Sequence, residues 1–171
     1  MVVAATDLVL YEPSFLAPSD GAKVGGAISS ALNPVDGLID EIFFTSASKP
    51  VGQGANVRYS KVFARNDNIT SGLSDTRVYI TALEHLGQIA IALEQSAGIA
   101  ILDGTETIVG PRTAPVVSAF SAPTTYAAGL TVGNGGFLGA LKAQGIWLKQ
   151  SISEGIGSDV SAFVDITFGN N

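Results

Sequence analysis

Residues 56–66, NVRYSKVFARN, alternate with a period of two, and this pattern constrains the fold more than any other in the chain. Val57, Tyr59, Lys61 and Phe63 fall on one side, and Arg58, Ser60, Val62 and Ala64 on the other. Successive side chains of a strand point to opposite faces, whereas an amphipathic helix repeats its apolar positions every three to four residues. The same period returns in DTRVYITALE (75–84), QIAIALEQ (88–95), AQGIWLKQ (143–150) and DVSAFVDITF (159–168). Ala, Leu, Glu and Gln make a helix the competing reading for 81–97, but the alternation of Ile89, Ile91 and Leu93 against Gln88, Ala90, Ala92 and Glu94 favours a strand. IDEIFFTSAS (39–48) reads as a short strand. APVVSAFSAP (114–123), bounded by prolines, reads as an edge strand.

Turn chemistry separates these runs. KPVGQGAN, DNITSG and GNGG supply the Gly, Asn, Asp and Ser that tight turns require. Residues 13–38 are dense in proline and glycine and read as irregular, following a strand or extended arm over 1–12. Many short strands with one face buried and one solvated predict an all-β chain. The expected architecture is an antiparallel β-sandwich or jelly-roll-like single domain, 41–171, preceded by an extended N-terminal arm, 1–40. Residues 143–169 are expected to close it as a hairpin, with Trp147 packed between the sheets.

Composition narrows the function. The 171 residues contain no cysteine, which excludes disulfides, thiolate metal sites and cysteine nucleophiles. A net charge of −6 with nine scattered Lys and Arg residues argues against nucleic acid as a partner. The N-terminus, MVVAATDLVLYEP, lacks a basic segment before its apolar run, so no secretory signal is expected. ALEHLGQIAIALEQSAGIAIL is interrupted by charges and glycines, so no membrane helix is expected either. Charged residues make up only 14% of the chain against about 25% in ordinary soluble domains, leaving a surface of small and aliphatic groups that suits an assembly and that a tightly folded monomer can also carry.

Catalytic and cofactor patterns fail one by one. His85 is the sole histidine, lies at a turn and has no nucleophile elbow nearby, which leaves a turn histidine as its reading. Asn66, Asp67 and Asn68 are consecutive, unlike the alternating ligands of a calcium loop, and read as a turn. The Asn68-Ile69-Thr70 sequon matters only in a eukaryotic secretory context. GNGG (133–136) lacks the Lys-Ser/Thr of a phosphate loop. Glu84, Glu94, Asp103 and Glu106 are carboxylates of the type a glycosidase pairs, with no two singled out by the sequence. Neither an enzyme nor a cofactor is expected.

Two blocks carry a likeness to known proteins. Tyr59, Lys61, Phe63, Arg65, Asn66 and Asn68 in YSKVFARNDN, with Trp147, Lys149, Gly155, Asp159 and Phe163 in IWLKQSISEGIGSDVSAFVDITFG, resemble a group of tailed-bacteriophage virion proteins. The resemblance spans about residues 55–169. It departs from the group at Ser153-Glu154, where a Pro precedes the loop Gly, and at Ser158, where an Asn precedes the Asp. The resemblance implies a non-enzymatic structural component of a phage particle, located in the virion and assembled in the host cytoplasm. A capsid decoration (cement) protein is the leading expectation, with the major capsid protein or other virion proteins as partners, and a homo-oligomer, a trimer, as the form. Val2, Val3, Leu8, Leu10, Phe15 and Leu16 are the expected subunit or capsid contacts. The alternative is a tail, baseplate or fibre-base component with a carbohydrate-binding surface at Trp147 or Tyr126.

Overall fold

The computed structural model describes residues 7–15, 22–29, 56–83, 89–117, 119–152 and 164–169, and these are all-β apart from short 3-10 turns such as Tyr126–Ala128. The long strands are β4 (Asn56–Asn66) and β11 (Ala143–Ile152), antiparallel from Ala143↔Arg65 to Ile152↔Asn56. β1 (Leu8–Tyr11) adds to β4 on one side, and β6 (Ile89–Leu93) adds to β11 on the other. A second sheet centres on β5 (Arg77–Leu83), flanked by β10 (Leu130–Thr131) and β12 (Val164–Gly169). A third, smaller sheet joins β2 (Pro13–Phe15), β3 (Val24–Ile28) and β9 (Thr107–Ile108). β7 (Gln95–Ser96) and β8 (Ile99–Ala100) form a short hairpin.

The sheets pack on one another as a β-sandwich. Val62, Ala64, Ile146 and Leu148 of the first sheet meet Val78 and Ile80 of the second in the main core, with Leu73, Val132 and Leu138 beside them. Where one solvated face per strand was expected, the other face of β4 and β11 is covered as well. Trp147 packs with Val24 and Ile108 of the third sheet, and Phe63 packs with Tyr11 and Ala143. Alternation therefore separates two interiors here, one almost wholly aliphatic and one carrying polar and aromatic groups. The stretch read as an arm enters the described structure as β1, β2 and β3, and β3 covers Trp147.

The strand readings over 56–66, 75–84 and 88–95 hold as β4, β5 and β6. Among the described residues of 114–123 no strand forms. Ser121 makes a single antiparallel bridge to Ile91 at the β6 edge. The closing hairpin is corrected. β11 pairs with β4 and β6, while β12 pairs with β5 in the other sheet. Both edges of β11 are already occupied, so the last strand completes the opposite layer. The strand at 39–48 lies outside the described residues.

Candidate functional site

The polar interior between the first and third sheets is the most chemically distinctive place in the molecule. Lys61 and Glu94 are 0% and 1% exposed, and Lys61 Nζ lies 2.7 Å from Glu94 Oε2. Lys61 also donates to the carbonyls of Gly26 at 3.0 Å, Glu106 at 3.3 Å and Gly104 at 3.5 Å. Its Nζ lies 4.6 Å from the Phe63 ring centroid and 5.4 Å from that of Trp147. Burial pushes the Lys61 ammonium below its usual pKa, against the opposing pull of Glu94 and Glu106. Glu94 Oε1 accepts from the Glu106 backbone N–H at 2.8 Å. Trp147 Nε1 donates to Glu106 Oε2 at 2.9 Å, and Val116 N–H donates to Glu106 Oε1 at 2.6 Å.

Local sequence explains how an ion pair fits there. Gly104 and Gly145 face the Glu94 carboxylate so closely that a Cβ on either would overlap it. Gly25, at φ +95°, leaves room for the Trp147 ring and the Lys61 stem. Buried Gln144 donates from Nε2 to the Glu94 carbonyl at 2.9 Å and ties the end of β6 to β11. Separating either charge from its partner in this interior is strongly unfavourable.

A second feature is the loop end built on NDNITSG. Buried Asn66 donates from Nδ2 to the carbonyls of Ser71, Leu138 and Gly139, while its Oδ1 accepts from Asn68 N–H. Asn68 Oδ1 accepts from Thr70 and Ser71 N–H, and its Nδ2 donates to Asp7. Asp67 accepts from the Tyr11 hydroxyl and pairs with Arg65 at 3.2 Å. This network fastens two loops on which Ile69 (77%), Phe137 (52%) and Leu141 (46%) are exposed. Leu141 N–H donates to the Asn68 carbonyl, and the Phe137 ring lies over Gly72. Leu141 sits at φ 57°, a left-handed conformation unfavourable for a branched side chain. The Asn134–Phe137 turn uses Gly135 and Gly136 at φ +60° and +89°, so the GNGG glycines serve a tight turn.

The residues singled out by sequence divide clearly. Lys61, Asn66 and Trp147, three positions of the resemblance, are buried and structural, and Lys149 is half-buried with Nζ 6.0 Å from the Phe120 ring centroid. Gly155, Asp159 and Phe163 lie outside the described residues, as do His85 and Glu84. Of the candidate carboxylates, Glu94 pairs with Lys61, Glu106 holds Trp147, and Asp103 pairs with Lys142 at 2.6 Å. Of the expected contacts, Leu8 and Leu10 pack partly buried against the main core, Phe15 is 45% exposed, and Val2, Val3 and Leu16 lie outside the described residues.

Trp147 is fully buried and offers no sugar platform. Tyr126 is partly exposed, edge-on to Tyr79 at 6.3 Å, with the Arg77 guanidinium 5.5 Å from its centroid. Arg77 in turn donates to Asp75. A groove of about 710 Å³ runs between the β6 edge and β10, lined by Leu93, Ile99, Ala100, Ala119, Leu130 and Gly133 among others. Among the described residues no group of three or more acidic or histidine side chains is placed to hold a metal ion. No local pattern marks the Lys61–Glu94 pair, because the two residues are 33 positions apart, on β4 and just beyond the end of β6.

Comparison with protein families, with curated proteins and with solved structures finds no match for this chain.

Proposed function

We propose that this protein is a non-enzymatic structural component of a tailed-phage particle, acting as a decoration protein on the capsid shell. The observation that carries the reading is the loop end at Ile69, Phe137 and Leu141. Residues of the resemblance, Asn66 and Asn68, make six side-chain hydrogen bonds to backbone groups that hold these loops in place. They hold apolar side chains in solvent, one of them in a strained conformation. Exposed apolar groups on a rigid base suit a contact that excludes water. The low charge content supports the same reading, since shell neighbours cover surface that would otherwise need solvating charge.

The partners in this proposal are the major capsid protein or other virion proteins, with a homo-oligomer, a trimer, as the assembled form and the virion as its place. Leu8–Tyr11 is a strand of the body, so the arm is tested by removing residues 2–6 alone. The decisive experiment is rebinding of purified protein to shells lacking it. Wild type binds, and a variant with Ile69, Phe137 and Leu141 changed to Ser stays folded and fails to bind. Equal shell occupancy by that variant removes the loop end from the proposal.

One observation favours a second reading, a tail, baseplate or fibre-base component with a sugar-binding surface. Tyr126, Arg77 and Asp75 place an accessible aromatic beside a cation and a carboxylate. Glycan-array binding that is lost in Tyr126→Ala supports it, and no binding to any glycan dismisses it.

A further inference from the structure

We propose that Lys61 and Glu94 condense to an intramolecular amide, a covalent cross-link between β4 and the end of β6. Lys61 Nζ lies 2.7 Å from Glu94 Oε2, with both side chains almost wholly buried. Contact at that distance holds the nitrogen against the carboxyl group with which it would react. The other carboxyl oxygen, Oε1, is held by the Glu106 N–H at 2.8 Å. The two oxygens are therefore unequal: one is anchored by a backbone amide and the other lies against the lysine nitrogen.

That inequality matches the roles amide formation assigns. Proton transfer within the buried pair gives a neutral amine and a carboxylic acid, the forms that a dry interior favours. The Nζ lone pair bonds to Glu94 Cδ while the Glu106 N–H stabilises the charge developing on Oε1. The Cδ–Oε2 bond breaks, and Oε2 leaves as water, carrying the acid proton and one proton from nitrogen. The amide nitrogen keeps one hydrogen, and the Gly26 carbonyl at 3.0 Å is placed to accept it. The carbonyls of Glu106 and Gly104, more distant from Nζ at 3.3 and 3.5 Å, are left to receive the departing water. No oxidant or co-reactant is required. Folding supplies the effective concentration, because the two groups are fixed in contact by strands on either side of β11. Burial of Lys61 supports the same chemistry by favouring the uncharged amine. Gly104 and Gly145 admit the carboxylate to this position, and larger residues would exclude it.

The cross-link does not rest on the particle role. The test is intact mass spectrometry of the purified full chain under denaturing conditions, followed by tryptic mapping. The amide makes wild type lighter by one water than the mass its sequence gives, whereas Lys61→Arg shows no such deficit. Trypsin then fails to cut after Lys61 and releases a branched peptide joining residues 59–65 to residues 78–112, the fragment that contains Glu94. A wild-type mass equal to the sequence value, with ordinary cleavage after Lys61, overturns the proposal. A water deficit that maps elsewhere, or that persists in Lys61→Arg, overturns it equally. The wild-type measurement stands alone even where the variant does not fold.

Discussion

Gly145→Ala isolates the packing argument for the polar interior. An ideal Cβ at Gly145 would sit 2.8 Å from Lys61 Cε, 3.1 Å from Glu94 Cβ and closer still to Glu94 Oε2. Its φ is not in the left-handed region, so backbone strain contributes nothing and the cost is purely steric and electrostatic. Overfilling a packed interior costs about 1–3 kcal/mol. Pushing the Glu94 carboxylate off Lys61 approaches the loss of a buried pair, about 3–5 kcal/mol. The two costs overlap, because relieving the clash is what displaces the carboxylate. The expected loss is therefore about 3–5 kcal/mol, a large part of a typical domain's stability. Gly98→Ala is the matched control: φ is +81°, but nothing lies within 4 Å of its Cβ, so only left-handed strain of about 1–2 kcal/mol applies. Urea denaturation of both variants, followed by circular dichroism, gives the comparison. A Gly145→Ala protein that loses no more than Gly98→Ala refutes the tight fit around Glu94.

Three further outcomes follow from the same geometry. Trp147 is the sole tryptophan and is fully buried, so its emission should be blue-shifted, resist aqueous quenchers and move to the red only on global unfolding. Tyr11 is held above its ordinary phenol pKa by burial and by its bond to Asp67. Tyr11→Phe should cost about 1.5–3 kcal/mol near neutrality. The raised folded pKa means this contribution is complete below pH 10.0 and fades as pH rises through the folded value, so wild type and Tyr11→Phe should converge in denaturation midpoint at high pH. Leu141→Gly relieves strain at φ 57° while loosening the unfolded chain, so the isolated protein should change by less than about 1 kcal/mol in thermal unfolding. The same variant should lose occupancy on the shell.

Much of the secondary structure was legible because alternation is a local signal. β4, β5, β6 and β11 follow from residues next to one another in the chain. Strand partnership is not local. Nothing in IWLKQS distinguishes a neighbour at β12 from neighbours at β4 and β6, and a turn-rich connection allows both hairpin and crossing. The third sheet escaped notice for a related reason. Val24-Gly25-Gly26 reads as loop by composition, and only the face it covers, that of Trp147 and Lys61, shows it to be a strand. A lysine at an alternating position ordinarily marks a solvated face, so nothing local signalled the burial of Lys61. Its partner was hidden among four carboxylates that looked alike. NDNITSG was legible as a turn, but its role in fixing the 138–142 loop depended on contacts about 70 residues away.

The proposed place on the capsid shell is open to a count of copies in purified particles. Quantitative mass spectrometry of intact virions, with empty shells and detached tails analysed separately, reads the ratio of this chain to the major capsid protein. A decoration protein should fractionate with shells at a fixed ratio comparable to that of the major capsid protein. Absence from particles, or recovery only with tails at a few copies each, contradicts it.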